Sequence, residues 1–213
     1  KEDPFRIENC MDSLAAVEEY VRMNWPEKEI FYFASSYGAY LTGLYLGRRE
    51  HAGTHLLMRS GAVIMPWLFL GAPGSDPDPA TLKELDEKGY LMLGLPGTKQ
   101  IKIPKGMFED MMLPENDLFG NFGESDHGNT KVAMVHGEKD QVVPVKFAKD
   151  FAEKYHLRLS DAARRCLAEE TPKRADNVQT QIIGSVRMLC KAAGEACETL
   201  GYEPVFLTDR LDC

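Results

Sequence analysis

Phe33-Ala34-Ser35-Ser36-Tyr37-Gly38-Ala39 is the stretch on which the reading of this chain turns. Before it, Glu29–Ala34 holds the β-rich run Ile30-Phe31-Tyr32-Phe33, too short for a helix and bounded by turn residues. After it, Ala39–Arg49 is apolar on most sides, as expected of a helix packed on a sheet. Small residues two before and two after a serine fit the G-x-S-x-G type of strand-to-helix elbow, here with Ala34 in place of the first glycine. In that geometry Ser36 projects its hydroxyl above the sheet. The Tyr37 N–H then points at the same spot and supplies half of an oxyanion hole. The same seven residues also fit a plain strand-to-helix turn in which Ser35 only caps the helix.

Working outward, a helix from Asp12 or Ser13 to about Asn24 is expected upstream, stopped by Pro26. Downstream, His55–Met58 with Ala62–Ile64 reads as the next strand. Residues 66–128 are rich in Pro, Gly, Asp and Met, with short helices expected at Thr81–Lys88 and Gly106–Met112. Lys131–Val135 has the pattern of a buried strand, and Pro144 opens a helix over Val145–Tyr155. Such alternation predicts an α/β fold with a parallel sheet and helices on its faces.

His136-Gly137-Glu138-Lys139-Asp140-Gln141-Val142-Val143-Pro144 follows the strand. A carboxylate beyond the C-terminal end of a parallel strand points into the crevice where such folds place ligands. Asp140 is therefore the candidate anionic partner of a catalytic histidine, although an aspartate in a turn is common in any loop. Among the five histidines, only His156 follows Asp140, by 16 residues. It is a poor candidate base because it ends a helix, where the dipole favours a cation. His136 is expected to be structural. His51 and His55 are four apart with no carboxylate arranged for a metal, and His127 lies in a polar loop.

Residues 4–155, about seven tenths of the chain, resemble an α/β-hydrolase of the prolyl oligopeptidase-like or esterase-like kind. The resemblance rests on Pro4-Phe5-Arg6-Ile7, the elbow, Met58-Arg59-Ser60-Gly61-Ala62-Val63 and the His136–Pro144 segment. It implies Ser36 as nucleophile, Asp140 as the acid of a triad and residues 66–128 as a cap over the pocket. It implies an ester or amide bond in a small molecule or peptide as substrate, an acyl-enzyme intermediate and no cofactor or metal. It gives Arg59 no catalytic role. The family also carries strands before the elbow helix that bring the second oxyanion donor, and a histidine after one further strand. Neither is matched here, so impaired activity is expected, along with an open sheet edge and an uncovered apolar face.

Beyond His156 the text changes. Residues 1–156 hold 12 Lys and 5 Arg, and residues 157–213 hold 2 Lys and 6 Arg; four of five Cys fall in the latter. A helix capped by Ser160, a strand at Val178–Ile183, a helix at Val186–Leu200 and a strand at Pro204–Leu207 are expected there. Glu170-Thr171-Pro172-Lys173, Ile182-Ile183-Gly184-Ser185, Leu200-Gly201-Tyr202 and Leu207-Thr208-Asp209-Arg210-Leu211 resemble a stretch of glycerate 2-kinase, an ATP-dependent transferase family. The chain thus reads as two incomplete domains, 1–156 and 157–213.

Composition sets the limits. With 44% hydrophobic and 27% charged residues in 213, the chain can bury a core. A net charge of −8 argues against nucleic acid and against an anionic membrane surface as partners. No apolar run nears the ~18 residues of a membrane span, and the Lys-Glu-Asp-Pro opening has no signal-peptide character. An odd number of cysteines without CxxC spacing reads as free thiols, hence a cytoplasmic location.

Overall fold

The computed structural model describes residues 6–70, 77–93, 100–122, 130–137, 140 and 142–159. The chain divides into two units, residues 1–159 and 160–213. The described residues all belong to the first, so the elements expected beyond Ser160 lie outside them.

Helix α1 (Ile7–Asn24) leads into strand β1 (Ile30–Ser35), helix α2 (Tyr37–Arg48) and strand β2 (Gly53–Arg59). The insertion carries α3 (Trp67–Leu70), α4 (Pro79–Lys88), the antiparallel pair β3 (Tyr90–Leu93) and β4 (Ile101–Pro104), α5 (Lys105–Met111), a 3₁₀ turn at Pro114–Asn116 and α6 (Leu118–Asn121). Strand β5 (Lys131–Val135), helix α7 (Val145–Lys154) and strand β6 (Arg158–Leu159) complete the unit. The main sheet runs β1-β2-β5-β6, parallel at every pairing. The expected α/β class with a parallel sheet is what forms.

One face of the sheet is packed. Tyr32 and Ala34 of β1 stand in register with Leu56 and Met58 of β2, and these with Val132 and Met134 of β5. Ala34, Leu56, Met58 and Met134 are buried with Tyr40 and Leu44 of α2, Ile7 and Met11 of α1, and Phe151 of α7. At about 25 cal/mol per Å² of apolar surface, this packing is the main stabilising term of the unit. A buried carboxylate in it is satisfied too. Buried Glu18 of α1 accepts hydrogen bonds from the Tyr32 hydroxyl, the Tyr45 hydroxyl (3.2 Å) and the Ala52 N–H (2.6 Å). Gly53 makes room for this, since a Cβ there would lie 1.8 Å from the Tyr32 ring.

The insertion is fastened to the body by buried polar contacts. Asp110 of α5 accepts the Ile7 N–H at 3.0 Å and pairs with Arg6 at 2.5 Å. The Tyr40 hydroxyl donates to the Asn116 carbonyl at 2.8 Å, and Asn116 Nδ2 donates to the Asp110 carbonyl at 2.7 Å.

Two local expectations are corrected, and one strand pairing is added. Helix α1 begins at Ile7 rather than near Asp12 or Ser13, because its first N–H is capped from α5, and the Ser13 hydroxyl instead donates to the Asn9 carbonyl inside the helix. Ala62–Ile64 is a buried turn segment and not part of a strand. The β3–β4 pair was not foreseen. Among the described residues, no helix is long and apolar enough to cross a membrane.

Candidate functional site

Ser36 occupies the N-cap of α2 with φ 54° and ψ −125°. A positive φ at a non-glycine residue is uncommon and costs about 1–3 kcal/mol. The surrounding bonds hold it there. The Ser36 N–H donates to the Arg59 carbonyl at 3.0 Å, continuing the β1–β2 ladder one residue past Ser35. The Ser36 carbonyl accepts the N–H groups of Ala39 (3.0 Å) and Ala62 (3.1 Å). Ser36 is exposed, and its hydroxyl makes no capping bond. Ser35 does not cap the helix either, because its Oγ accepts a hydrogen bond from Arg59 Nη1 at 3.0 Å. The plain-turn alternative thus loses its capping bond. The tight-turn requirement does not show at Gly38, where a Cβ would meet nothing within 4 Å outside its chain neighbours and its own helix.

Tyr37 is the first residue of α2, and an N–H in that position has no acceptor inside its own helix. Its ring stacks on Tyr40 with centroids 5.6 Å apart, and its hydroxyl is buried without a hydrogen-bond partner among the described residues. Burial pushes the phenol well above its ordinary pKa, and the nearby Cys10 and Asp110 add to the shift.

The register brings two candidates to one edge. Ser35, Arg59 and Val135 align across β1, β2 and β5, so Ser36 and His136 both leave the sheet at its C-terminal edge. Two strand spacings separate them, about 10 Å. Asp140 sits in the loop that leaves β5 at this edge. Its Oδ1 accepts the N–H groups of Val142 (3.0 Å) and Val143 (2.9 Å), and its own N–H donates to the Gly137 carbonyl at 3.2 Å.

His156 does not join them. Arg158 of β6 lies opposite Ala133 in a parallel pairing, so His156 stands toward the N-terminal edge, near the level of Lys131. That edge is roughly 13 Å along the strands from the Val135 row. His156 is exposed, with φ 53°, at the end of α7. His136 is buried, its Nε2 2.7 Å from the Val143 carbonyl oxygen and 3.7 Å from Asp140 Oδ2. His55 of β2 contacts the Phe31 ring, with ring centroids 4.5 Å apart, and His51 lies in the loop after α2 near Tyr32 and Tyr45. His127 is outside the described residues. Among the described residues, no group of three or more His, Cys, Asp or Glu is placed to hold a metal. A shallow hollow of about 420 Å³ lined by Glu19, Arg22, Met23 and Pro26 lies at the end of α1 and includes neither Ser36 nor Asp140.

The parallel β1-β2-β5-β6 order of the described residues, with a strand-to-helix turn after the first strand and the Asp140 loop after the third, is consistent with an incomplete α/β-hydrolase fold. Solved structures agree. The chain superposes on a protein from Agrobacterium vitis S4 described as a hydrolase, with a TM-score of 0.53 and 17% identity, covering 73% of this chain and 56% of that one. Est1E from Butyrivibrio proteoclasticus gives a TM-score of 0.51 and 19% identity, covering 72% of this chain and 59% of that one. A second Est1E structure, with ferulic acid bound, gives 0.51 and 16%. At these identities the likeness is one of fold. The chain spans a little over half the length of the first two. No protein-family model matches the chain. Among curated proteins, D-glycerate 2-kinase of Thermotoga maritima is 34% identical over 61 residues, 29% of this chain and 15% of that enzyme.

Proposed function

We propose that residues 1–156 are a serine hydrolase scaffold acting on ester or amide bonds of small molecules or peptides. Ser36 Oγ attacks the carbonyl carbon and its proton passes to a base. The leaving group departs with a proton to give an acyl-enzyme, and water releases the acid. The Tyr37 N–H stabilises the oxyanion, and Asp140 orients the base. The single observation that carries this reading is Ser36: an exposed serine at φ 54° between a parallel strand and a helix, on the edge from which the Asp140 loop departs. The ferulic acid bound to Est1E, a carboxylic acid of the kind ester cleavage releases, supports ester chemistry.

No described histidine occupies the position of the base, because His136 is buried against Val143 and His156 lies toward the other edge. General-base catalysis is worth about 10²–10⁴-fold, so turnover is slow by that order. The test is a fluorophosphonate probe on the folded chain. A covalent adduct that forms slowly and is lost in Ser36→Ala is the expected result. Folded protein that never reacts refutes an activated serine.

A second reading is favoured by one observation, the partial match to D-glycerate 2-kinase. It assigns residues 157–213 to a fragment of an ATP-dependent transferase and the whole chain to a fusion of two incomplete domains. Since 15% of that enzyme is matched, a coupled ADP assay with glycerate should detect no ATP consumption.

A further inference from the structure

His136 is absent from the chemistry above, yet its side chain is fully buried where β5 ends. Its Nε2 lies 2.7 Å from the carbonyl oxygen of Val143, seven residues on. A carbonyl oxygen only accepts, so Nε2 carries the hydrogen. Nδ1 is buried with no hydrogen-bond partner among the described residues. The bond closes the neck of the loop. Val143 is itself buried, and the helix α7 starts at Val145.

Inside that neck the Asp140 carboxylate is held by one oxygen. Oδ1 takes the N–H groups of Val142 and Val143, and the carbonyl of that same Val143 is the acceptor for His136. The imidazole therefore grips the residue whose amide grips the carboxylate. Oδ2 lies 3.7 Å from His136 Nε2, beyond hydrogen-bond reach, with the Asp140 side chain 19% exposed. Among the described residues, the hydrogen bonds to the carboxylate fall on Oδ1.

We propose that His136 is a positioning residue for Asp140: through its Nε2–H it locks the Val143 peptide and so holds the Asp140 carboxylate in the loop on the sheet edge that Ser36 leaves. The consequence for catalysis rests on the hydrolase reading, but the lock itself does not. It also explains why a histidine one residue past β5 is not itself the base, since its side chain is fully buried with Nε2 engaged by Val143.

The experiment uses the full chain labelled with ¹⁵N. Long-range ¹H–¹⁵N imidazole spectra report the tautomer of His136, and amide exchange is followed at Val142 and Val143 against Leu56 and Met58 in the sheet. The expected result is an Nε2–H ring. His136→Leu should exchange about tenfold faster at Val142 and Val143 with the sheet amides unchanged, and His136→Gln, which keeps a donor near the Nε2 position, should restore protection. An Nδ1–H tautomer overturns the proposal. So does unchanged exchange in His136→Leu, or acceleration at all four amides together. Should the leucine variant fail to fold, the tautomer and the glutamine variant still decide. Absence of probe labelling at Ser36 would remove the hydrolase reading while leaving these readouts intact.

Discussion

The two faces of strand β1 have opposite fates. Tyr32 and Ala34 point into the packed side, where Tyr32 reaches over Gly53 to a buried carboxylate and Ala34 is 7% exposed. Phe31 and Phe33 alternate with them and remain 49% and 50% exposed. In a strand, neighbours differ in face and in little else, so the contrast isolates the effect of what packs on each side. On the first side, helices α1 and α2 cover the sheet and the buried Glu18 carboxylate accepts three hydrogen bonds. On the second, β1 presents two phenyl rings, with β2 its sole partner among the described strands. The exposed face expected from the sequence is thus visible on β1. Stability comes from one side of the sheet, and the elbow at the end of β1 is held from that side too, through Ala39 and Ala62.

The largest effect should come from breaking the covered side. Glu18→Leu leaves the Tyr32 hydroxyl and the Ala52 N–H without their acceptor and the Tyr45 hydroxyl with only the Glu50 carbonyl at 3.5 Å, and should lower unfolding free energy by about 3 kcal/mol in urea titration. A smaller effect sharpens the same comparison through pH. Burial, with the charge of Glu18 and the hydrogen bond to it adding, raises the Tyr45 phenol from 10.0 to about 12. Its folded-state pKa lies above its unfolded one, so its contribution is whole below pH 10 and is lost as pH rises through 12. The thermal midpoint should fall between pH 10 and 12, and Tyr45→Phe should flatten that slope. The smallest effect belongs to the open side. Phe31→Ser with Phe33→Ser should change stability by less than about 1 kcal/mol, because half-exposed rings have little burial to lose. A loss as large as that of Glu18→Leu would mean that the outer face is packed.

Local signals were legible where local chemistry decides. Strand β5 was readable at Lys131–Val135 because its apolar run is bounded by Thr130 and the His136-Gly137 turn. The elbow was readable because a β-rich run meets a helix across two serines. The start of α1 was not, since its first N–H finds its acceptor on Asp110, 103 residues away. Ala62–Ile64 is apolar enough for a strand, yet it is buried as a turn bonded to Ser36 through the Ala62 N–H. The pairing of β3 with β4 joins two runs of four residues across a gap, too little pattern for periodicity to reveal. The position of His156 needed the parallel register of β6, which spacing along the chain cannot supply. The role of His136 needed the Val143 carbonyl, a partner set by loop geometry.

On the proposed function, the hydroxyl at position 36, and not its neighbour at 35, is the one offered to a substrate. Peptide mapping of the fluorophosphonate adduct by mass spectrometry separates the two, since Ser35 Oγ is engaged by Arg59 and Ser36 is exposed. The phosphonyl group is expected on Ser36 alone and absent in Ser36→Ala. An adduct on Ser35, or folded protein with no adduct on either serine, would contradict it.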